Sequence, residues 1–477
     1  MRAAGFWESE MSSIAEALAS AIGADRVASD ADALNARRYD QWAVKHLRDW
    51  RGEAVPAPGC VVRPQSVEDV QKVVRFAAER RVPLIPYGLG SGVCGGIEPT
   101  PDAILLDMSA MNRVRFIDSD DLLASFDAGL NGMEAEEAVA AHGLTIGHWP
   151  QSIAISSVGG WVSTRASGQF STAYGNIEDI IHSIEAVLPN GELVTLGKAV
   201  RAAAGPDLRH LLMGAEGTMG VITGVTFSLR AKAPHRDYSI FYANDMRAGF
   251  EAQRRIVRAD WRPPVMRQYD GREVRRLFRD YEQGGKAMLL MVHEGPQARV
   301  EAELAAMHEI CAAAGLEAGD PKAAKQWIEK RNHVPSWRDM FERGYVADTV
   351  EISGRWSEIG AIYDDSIAAL NAIPGVINAS AHSSHVYRSG INLYFSFAAT
   401  FEDSAKMEPA YFAGWRAIME ATAKHGGGVA HHHGAGRLRK PYLHHDLGES
   451  GVALLRRVKQ ALDPEGIMNP GNLIPDA

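Results

Sequence analysis

The chain has 477 residues, more than one hydrophobic core supports, so two or three domains are expected. Its formal net charge of -9 provides no basic footprint, which excludes nucleic acid as a partner. The cysteines Cys60, Cys94 and Cys311 are widely separated and form no CxxC pair, so they read as free thiols of a reducing cytoplasm, and no apolar run reaches the ~20 residues of a transmembrane segment.

Residues 12–40 read as a helix with Ile14, Leu18, Ile22 and Val27 on one face, and residues 1–54 as a helical lead-in. From Gly59 the texture changes. Cys60, Val61 and Val62 are strand-like, Ser66 opens a helix with Val70, Val73, Val74 and Ala77 on its apolar stripe, and Val82 to Ile85 form the next strand. That strand runs into Pro86, Tyr87, Gly88, Leu89, Gly90, Ser91, Gly92 and Val93. Glycine allows positive φ and lets main-chain N–H groups approach an anion, and Ser91 adds a hydroxyl, so this loop can cradle a pyrophosphate. An ordinary turn is the other reading. The β-branched runs at Ile104 to Leu106, Ile184 to Val187 and Val221 to Phe227 alternate with glycine-rich turns, which makes 55–235 one domain.

Between 236 and 440 the rhythm lengthens, with helices near 272–282, 297–314, 321–331, 357–372 and 403–424 and a strand at 287–292. Gly426, Gly427 and Gly428 then lead into His431, His432 and His433. Adjacent histidines in a glycine-flanked loop are poor packing residues, because a buried imidazole needs a hydrogen-bond partner. They suit proton transfer near neutrality; a metal joined by His382, His385, His444 or His445 is the rival reading. Arg437, Arg439 and Lys440 read equally as a solvated edge or a substrate anchor. The segment 441–477 closes the chain with a helix at 449–461.

The glycine loop, with Trp149, Pro150, Gln151, Ser152, then Gly159, Gly160, Trp161, Val162, Ser163, Thr164, Arg165, Ala166, Ser167, Gly168, then Tyr174, Gly175, Asn176, and finally 213–223, resembles the FAD-binding domain of the vanillyl-alcohol oxidase and p-cresol methylhydroxylase superfamily. Within it, Thr164 to Gly168 and the triple histidine are similar to the alkyldihydroxyacetonephosphate synthase branch. The resemblance implies an α+β fold: a two-subdomain PCMH-type FAD-binding domain, an α/β cap with an antiparallel sheet, and a C-terminal return to the FAD domain. It implies FAD contacts at 86–93, Pro150, Gln151, Ser152, Gly159, Gly160, Trp161, Ser163, Thr164, Ala166, Gly168, Tyr174, Gly175, Glu216 and Gly217. Val221 and Ile222 would lie on the adenine side, and Asn469 at the isoalloxazine edge. Relatives that tether the flavin place a histidine after the paired glycines, where this chain has Cys94, Gly95 and Gly96, so the FAD is expected to be noncovalent.

Related D-2-hydroxyacid dehydrogenases hold a metal where this chain has Tyr387, Tyr394 and His432, so no metal is expected. The synthase branch implies acid–base roles for Tyr394 and His431 to His433 and anion binding for Arg267. Arg165, charged amid small residues, needs a carboxylate or a substrate as partner. The expected function is an FAD-dependent oxidoreductase acting on a hydroxylated small molecule with an acidic or polar end. The alternative is synthase-type exchange of an acyl group for an alcohol without net redox. Family precedent permits a homodimer.

Overall fold

The computed structural model describes residues 2–332 and 336–475, with side chains from residue 10 onward; Asp476 and Ala477 lie outside the described residues. Helix Arg2–Ile22 ends at Gly23, whose φ of 110° an L residue rarely adopts. The expected helix over 12–40 therefore stops early. Val27 pairs with Val62 instead, so the lead-in contributes an edge strand to a sheet ordered Val27–Ala28, Cys60–Val62, Ile104–Asp107, Leu84–Tyr87. The last three strands run parallel and are mostly buried, which explains their largely apolar sequence. Helix Val67–Arg80 crosses between them, capped by Ser66 Oγ, which accepts from Asp69 N at 3.2 Å.

A second, antiparallel sheet is ordered Val114–Asp118, Leu123–Asp127, Val221–Ser228, Ile181–Val187, Leu193–Leu196. Trp161 packs into its core beside Phe227 and donates its indole N–H to Ser156 Oγ at 2.8 Å.

The third sheet has seven strands, all antiparallel, in the order Glu317–Ala318, His235–Ala243, Ala287–Gly295, Val265–Tyr269, Val376–Ser383, Gly390–Thr400, Tyr345–Arg355. Strand period two divides its faces. Val350, Ile352, Leu393, Phe395, Ala381 and Met266 form the apolar face, covered by helices Met246–Arg258, Gln297–Ala313, Ile359–Asn371 and Met407–Lys424. The other face carries a polar row that crosses four strands: Glu351 is opposite Tyr394, Tyr394 opposite His382, and His382 opposite Tyr269. After helix Leu443–Leu462 the chain returns to the first sheet, where Met468 bridges to Leu84. No helix of the described residues is long and apolar enough to cross a membrane.

Candidate active site

The polar row is a stack of rings. His382 lies 4.9 Å from Tyr394 at an interplanar angle of 8°, and Tyr269 is 5.2 Å beyond it. Arg267, two residues from Tyr269 and on the same face, donates Nε–H to the Tyr269 hydroxyl at 2.8 Å and lies over the Trp327 ring at 5.1 Å. It is 8% exposed, and among the described residues no carboxylate pairs with it. One helical turn past Trp327, Arg331 lies 5.2 Å from the Trp149 ring and 5.9 Å from the Phe170 ring, again with no carboxylate pairing among the described residues. Burial, then the charge of Arg236, holds its guanidinium below the usual arginine range.

The histidine loop closes over the row and is held by Glu351. Glu351 Oε1 accepts the main-chain N–H groups of His431, His432 and His433 at 3.4, 3.2 and 2.9 Å. Oε2 pairs with the guanidinium of Arg439 and meets His433 Nδ1 at 3.0 Å, at an angle bent for a hydrogen bond. Burial pushes this carboxyl up, but Arg439 and His433 outweigh it and hold it well below the carboxylate range. Arg439 is thus fully buried, neither solvated edge nor substrate anchor. Arg437 pairs with Glu98 at 2.6 Å, and Lys440 donates to Gly471 O at 3.2 Å. From the N-terminal half of the chain, Glu216 braces the far end of the loop, accepting from Ala435 N at 2.6 Å and Gly436 N at 2.9 Å.

Tyr394 Oη sits 2.5 Å from His432 Nε2 and 3.0 Å from His433 Nε2. The two Nδ1 atoms of His431 and His432 are 2.6 Å apart, His431 Nε2 is 2.8 Å from Tyr387 Oη, and Tyr387 reaches Asn176 at 3.1 Å. Burial lowers His431 to about 4 and His432 well below its ordinary value, so both imidazoles are neutral near pH 7. Burial, reinforced by the charge of Glu351, raises the Tyr394 phenol. His385, whose Nδ1 meets Ser171 Oγ at 2.6 Å, completes a cluster in which one ring nitrogen each of His385, His431 and His432 lies within 4.8 Å of the others. A cation there would compete with the hydrogen bond already joining His431 to His432. A cavity of about 640 Å³ opens beside the loop, lined by Arg165, Asn176, Glu216, Tyr387, His431 and His432 among others.

Residues 58–197 match the family described as FAD binding domain, and residues 232–473 the C-terminal domain of FAD linked oxidases. A relative in Escherichia coli (strain K12), the uncharacterized FAD-linked oxidoreductase YgcU, is 32% identical over 97% of this chain and 98% of its own. The chain belongs to the FAD-linked oxidoreductase family. A solved structure of alkyldihydroxyacetonephosphate synthase superposes with a TM-score of 0.77 at 26% identity, covering 94% of this chain and 82% of that one. Substrate-bound p-cresol methylhydroxylase superposes with a TM-score of 0.78 at 17% identity, covering 98% and 97%, and shares the fold.

The residues present fit this family's cofactor, FAD. Among the described residues no main-chain N–H from Gly88 to Val93 donates to a protein acceptor, so the loop retains a run of donors for an anion. A Cβ on Gly88 would come within 2.4 Å of Ser157 Oγ, and one on Gly90, at φ 69°, within 2.2 Å of the Tyr87 hydroxyl. The loop is held at both ends. Pro86 packs on Gly217, while Gln41 N donates to Gly92 O at 2.7 Å and buried Asp40 accepts from Gly96 N at 2.9 Å. Thr164 lines the cavity, and Ser163 O accepts from Glu216 N.

Other residues expected at the cofactor have packing partners. Gly159 and Gly168 allow close approach to Ala128 and to the His148–Trp149 backbone. Trp161 and Val221 lie in separate cores, with Ile222 packed against the former. Tyr174 donates to Glu294 at 2.7 Å, Asn469 Nδ2 donates to Gly96 O and Glu216 O, and Arg165 pairs with Glu178 at 2.9 Å. Pro150, Gln151 and Ser152 precede a short 3-10 turn, Ala166 is buried, and Gly175 has a φ of 88°. Cys94 is buried with its thiol raised well above its usual value by burial, and Sγ accepts from Arg439 at 3.1 Å.

Sequence reasoning missed Glu351, Asp40 and Arg331. The signal for Glu351 was present: Asp348 and Glu351 interrupt an otherwise strand-like run, and a buried strand acid demands a partner.

Proposed function

We propose that this FAD-linked oxidoreductase oxidises a hydroxyl-bearing carbon of a small molecule with an acidic end, using noncovalently held FAD in a reducing cytoplasm. The observation carrying this reading is the Tyr394 hydroxyl, gripped by His432 and His433 with ionised Glu351 behind His433, on the same sheet face as the unneutralised Arg267. FAD, when bound, supplies the two-electron acceptor. The residues move the proton: the substrate O–H gives its hydrogen to Tyr394 Oη as Tyr394 passes its own to His433 Nε2, and Glu351 stabilises the resulting imidazolium. Arg267 binds the carboxylate or phosphate end, since a guanidinium fork suits either.

The test is to release yellow FAD by denaturation, then offer 2-hydroxy acids and alcohols under oxygen while following peroxide and flavin bleaching. Oxidation of a hydroxylated anion is expected. The likeness to the synthase structure favours a second reading, exchange of an acyl group for an alcohol through the same Tyr394 and histidines. Exchange without net electron flow would replace the first reading by the second. A colourless protein that takes up no FAD overturns both.

A further inference from the structure

We propose that Asp40 and Gln41 of the lead-in are positioning residues for the cofactor: they set peptide planes of the glycine loop so that its free N–H groups are presented to the FAD pyrophosphate. The inference rests on the reading of residues 88–93 as the pyrophosphate loop. It gives a role to a segment that precedes residue 58, where the match to the FAD binding domain begins.

Asp40 is a carboxyl group that packing does not explain. It is 2% exposed, and among the described residues no cation pairs with it. A carboxylate in such a place costs free energy, and burial pushes it up to about 7 against the pull of its main-chain donors. Its two oxygens serve two N–H groups. Oδ1 accepts from Trp42 N at 3.0 Å, which fixes the turn of the lead-in, and Oδ2 accepts from Gly96 N at 2.9 Å, which fixes the far end of the loop. Beside it, Gln41 N donates to Gly92 O at 2.7 Å. In a planar trans peptide the C=O and the following N–H point in opposite directions. The bond to Gly92 O therefore turns Val93 N–H to the side of the loop away from Gln41, where among the described residues no protein acceptor meets it. Gly96 is held from a second direction, its O accepting from Asn469 Nδ2 at 3.0 Å. The bonds at 92 and 96 thus fix the loop and leave the donors from Gly88 to Val93 free for an anion.

The lead-in can serve as a fixed support because it is anchored elsewhere. The Trp42 ring packs on Gly95, where φ is 71° and a Cβ would come within 2.7 Å of the indole. Helix Ala43–Trp50 buries Ala43, Val44 and Leu47 in the same core as Val350 and Leu393 of the seven-stranded sheet. Arg48 and Arg51 pair with Glu408 of helix Met407–Lys424 at 2.6 and 2.8 Å. The cofactor loop is therefore braced from the C-terminal half of the chain through the lead-in.

The experiment compares wild-type and Asp40→Asn proteins, stripped of flavin, at pH 8: FAD affinity by quenching of flavin fluorescence, and thermal unfolding without flavin. An asparagine has one acceptor oxygen, so it cannot serve both Trp42 N and Gly96 N. The FAD Kd is expected to rise about tenfold or more, while the flavin-free variant unfolds at no lower temperature, because a costly buried carboxylate is gone. An unchanged Kd overturns the proposal. So does a lower unfolding temperature, which would make Asp40 a structural residue. If D40N fails to fold, hydrogen exchange of the wild-type protein resolved to single amides decides. Gln41 and Gly96 N–H are expected to be protected with and without FAD, and Val93 N–H only with it; free exchange at Gln41 or Gly96 in the flavin-free protein, or at Val93 in the yellow one, overturns the proposal. A protein that takes up no FAD refutes the cofactor reading as well, whereas a yellow protein whose D40N variant binds FAD as tightly refutes this inference alone.

Discussion

Replacing Arg439 with methionine should destabilise the protein in a pH-dependent way. The Arg439–Glu351 pair is fully buried, and the guanidinium also donates to Gly434 O at 2.8 Å and lies 5.0 Å from the Trp415 ring. Without it, Glu351 can remain charged, at about 3–5 kcal/mol for an orphaned buried charge. Alternatively it can take up a proton. From the ordinary glutamate value of 4.5 up to pH 7 that costs about 1.4 kcal/mol per pH unit, or about 3.4 kcal/mol. The routes cost about the same, so the expected loss at pH 7 is about 3 kcal/mol, plus about 1 kcal/mol for the orphaned Gly434 carbonyl.

The sign follows from the direction of each shift. In the wild-type protein Glu351 is held below its unfolded value, so its stabilisation is present above pH 4.5 and is lost as pH falls through the depressed folded value. In R439M burial raises the folded value, so the penalty is absent below pH 4.5 and grows as pH rises toward it. The charge part at pH 5 is then about 0.7 kcal/mol. Urea unfolding followed by tryptophan fluorescence at pH 5, 6 and 7 should show the gap between the two proteins widening with pH. A gap that stays constant refutes the reasoning. The double variant R439M/E351M should recover the charge part, since neither partner is then left alone.

Gly90→Ala forces a Cβ toward the Tyr87 hydroxyl at a positive φ, so flavin absorbance per chain should fall; a fully yellow variant would contradict the role assigned to the loop. Arg267→Met should weaken an anionic substrate on the order of 10²-fold, within the range of about 2–5 kcal/mol for losing a buried charged partner, through KM more than kcat. Equal losses for charged and uncharged alcohols would argue against it. His432→Ala should retain FAD while lowering turnover on the order of 10² to 10⁴-fold, and loss of the flavin would show the residue to be structural.

The loop 86–93 stands out in the sequence as a candidate anion cradle because anion binding by successive N–H groups is a local property of backbone without side chains, and glycine announces it. The triple histidine was legible for a similar reason: three imidazoles in a glycine-flanked loop are improbable as packing. Trp161 and Tyr174 share segments with other candidate cofactor residues, and their side chains hydrogen-bond to Ser156 and Glu294, partners that neighbours in the chain do not record. The lead-in was read as helix because periodicity outweighed Gly23, and the strand pairing of Val27 with Val62 is long-range.

By itself the sequence determined the cofactor family and marked out the glycine loop and the histidines proposed to hold the cofactor and move the proton, because each is carried by residues close together in the chain. Only the tertiary structure decided how those side chains are wired. Glu351 comes opposite Tyr394 through strand register, Arg439 neutralises it from a helix that follows the loop, and Glu216 reaches the loop from more than two hundred residues away. A buried carboxylate has no function until its partners are known, and register and burial, which supply them, arise only when the sheet is assembled.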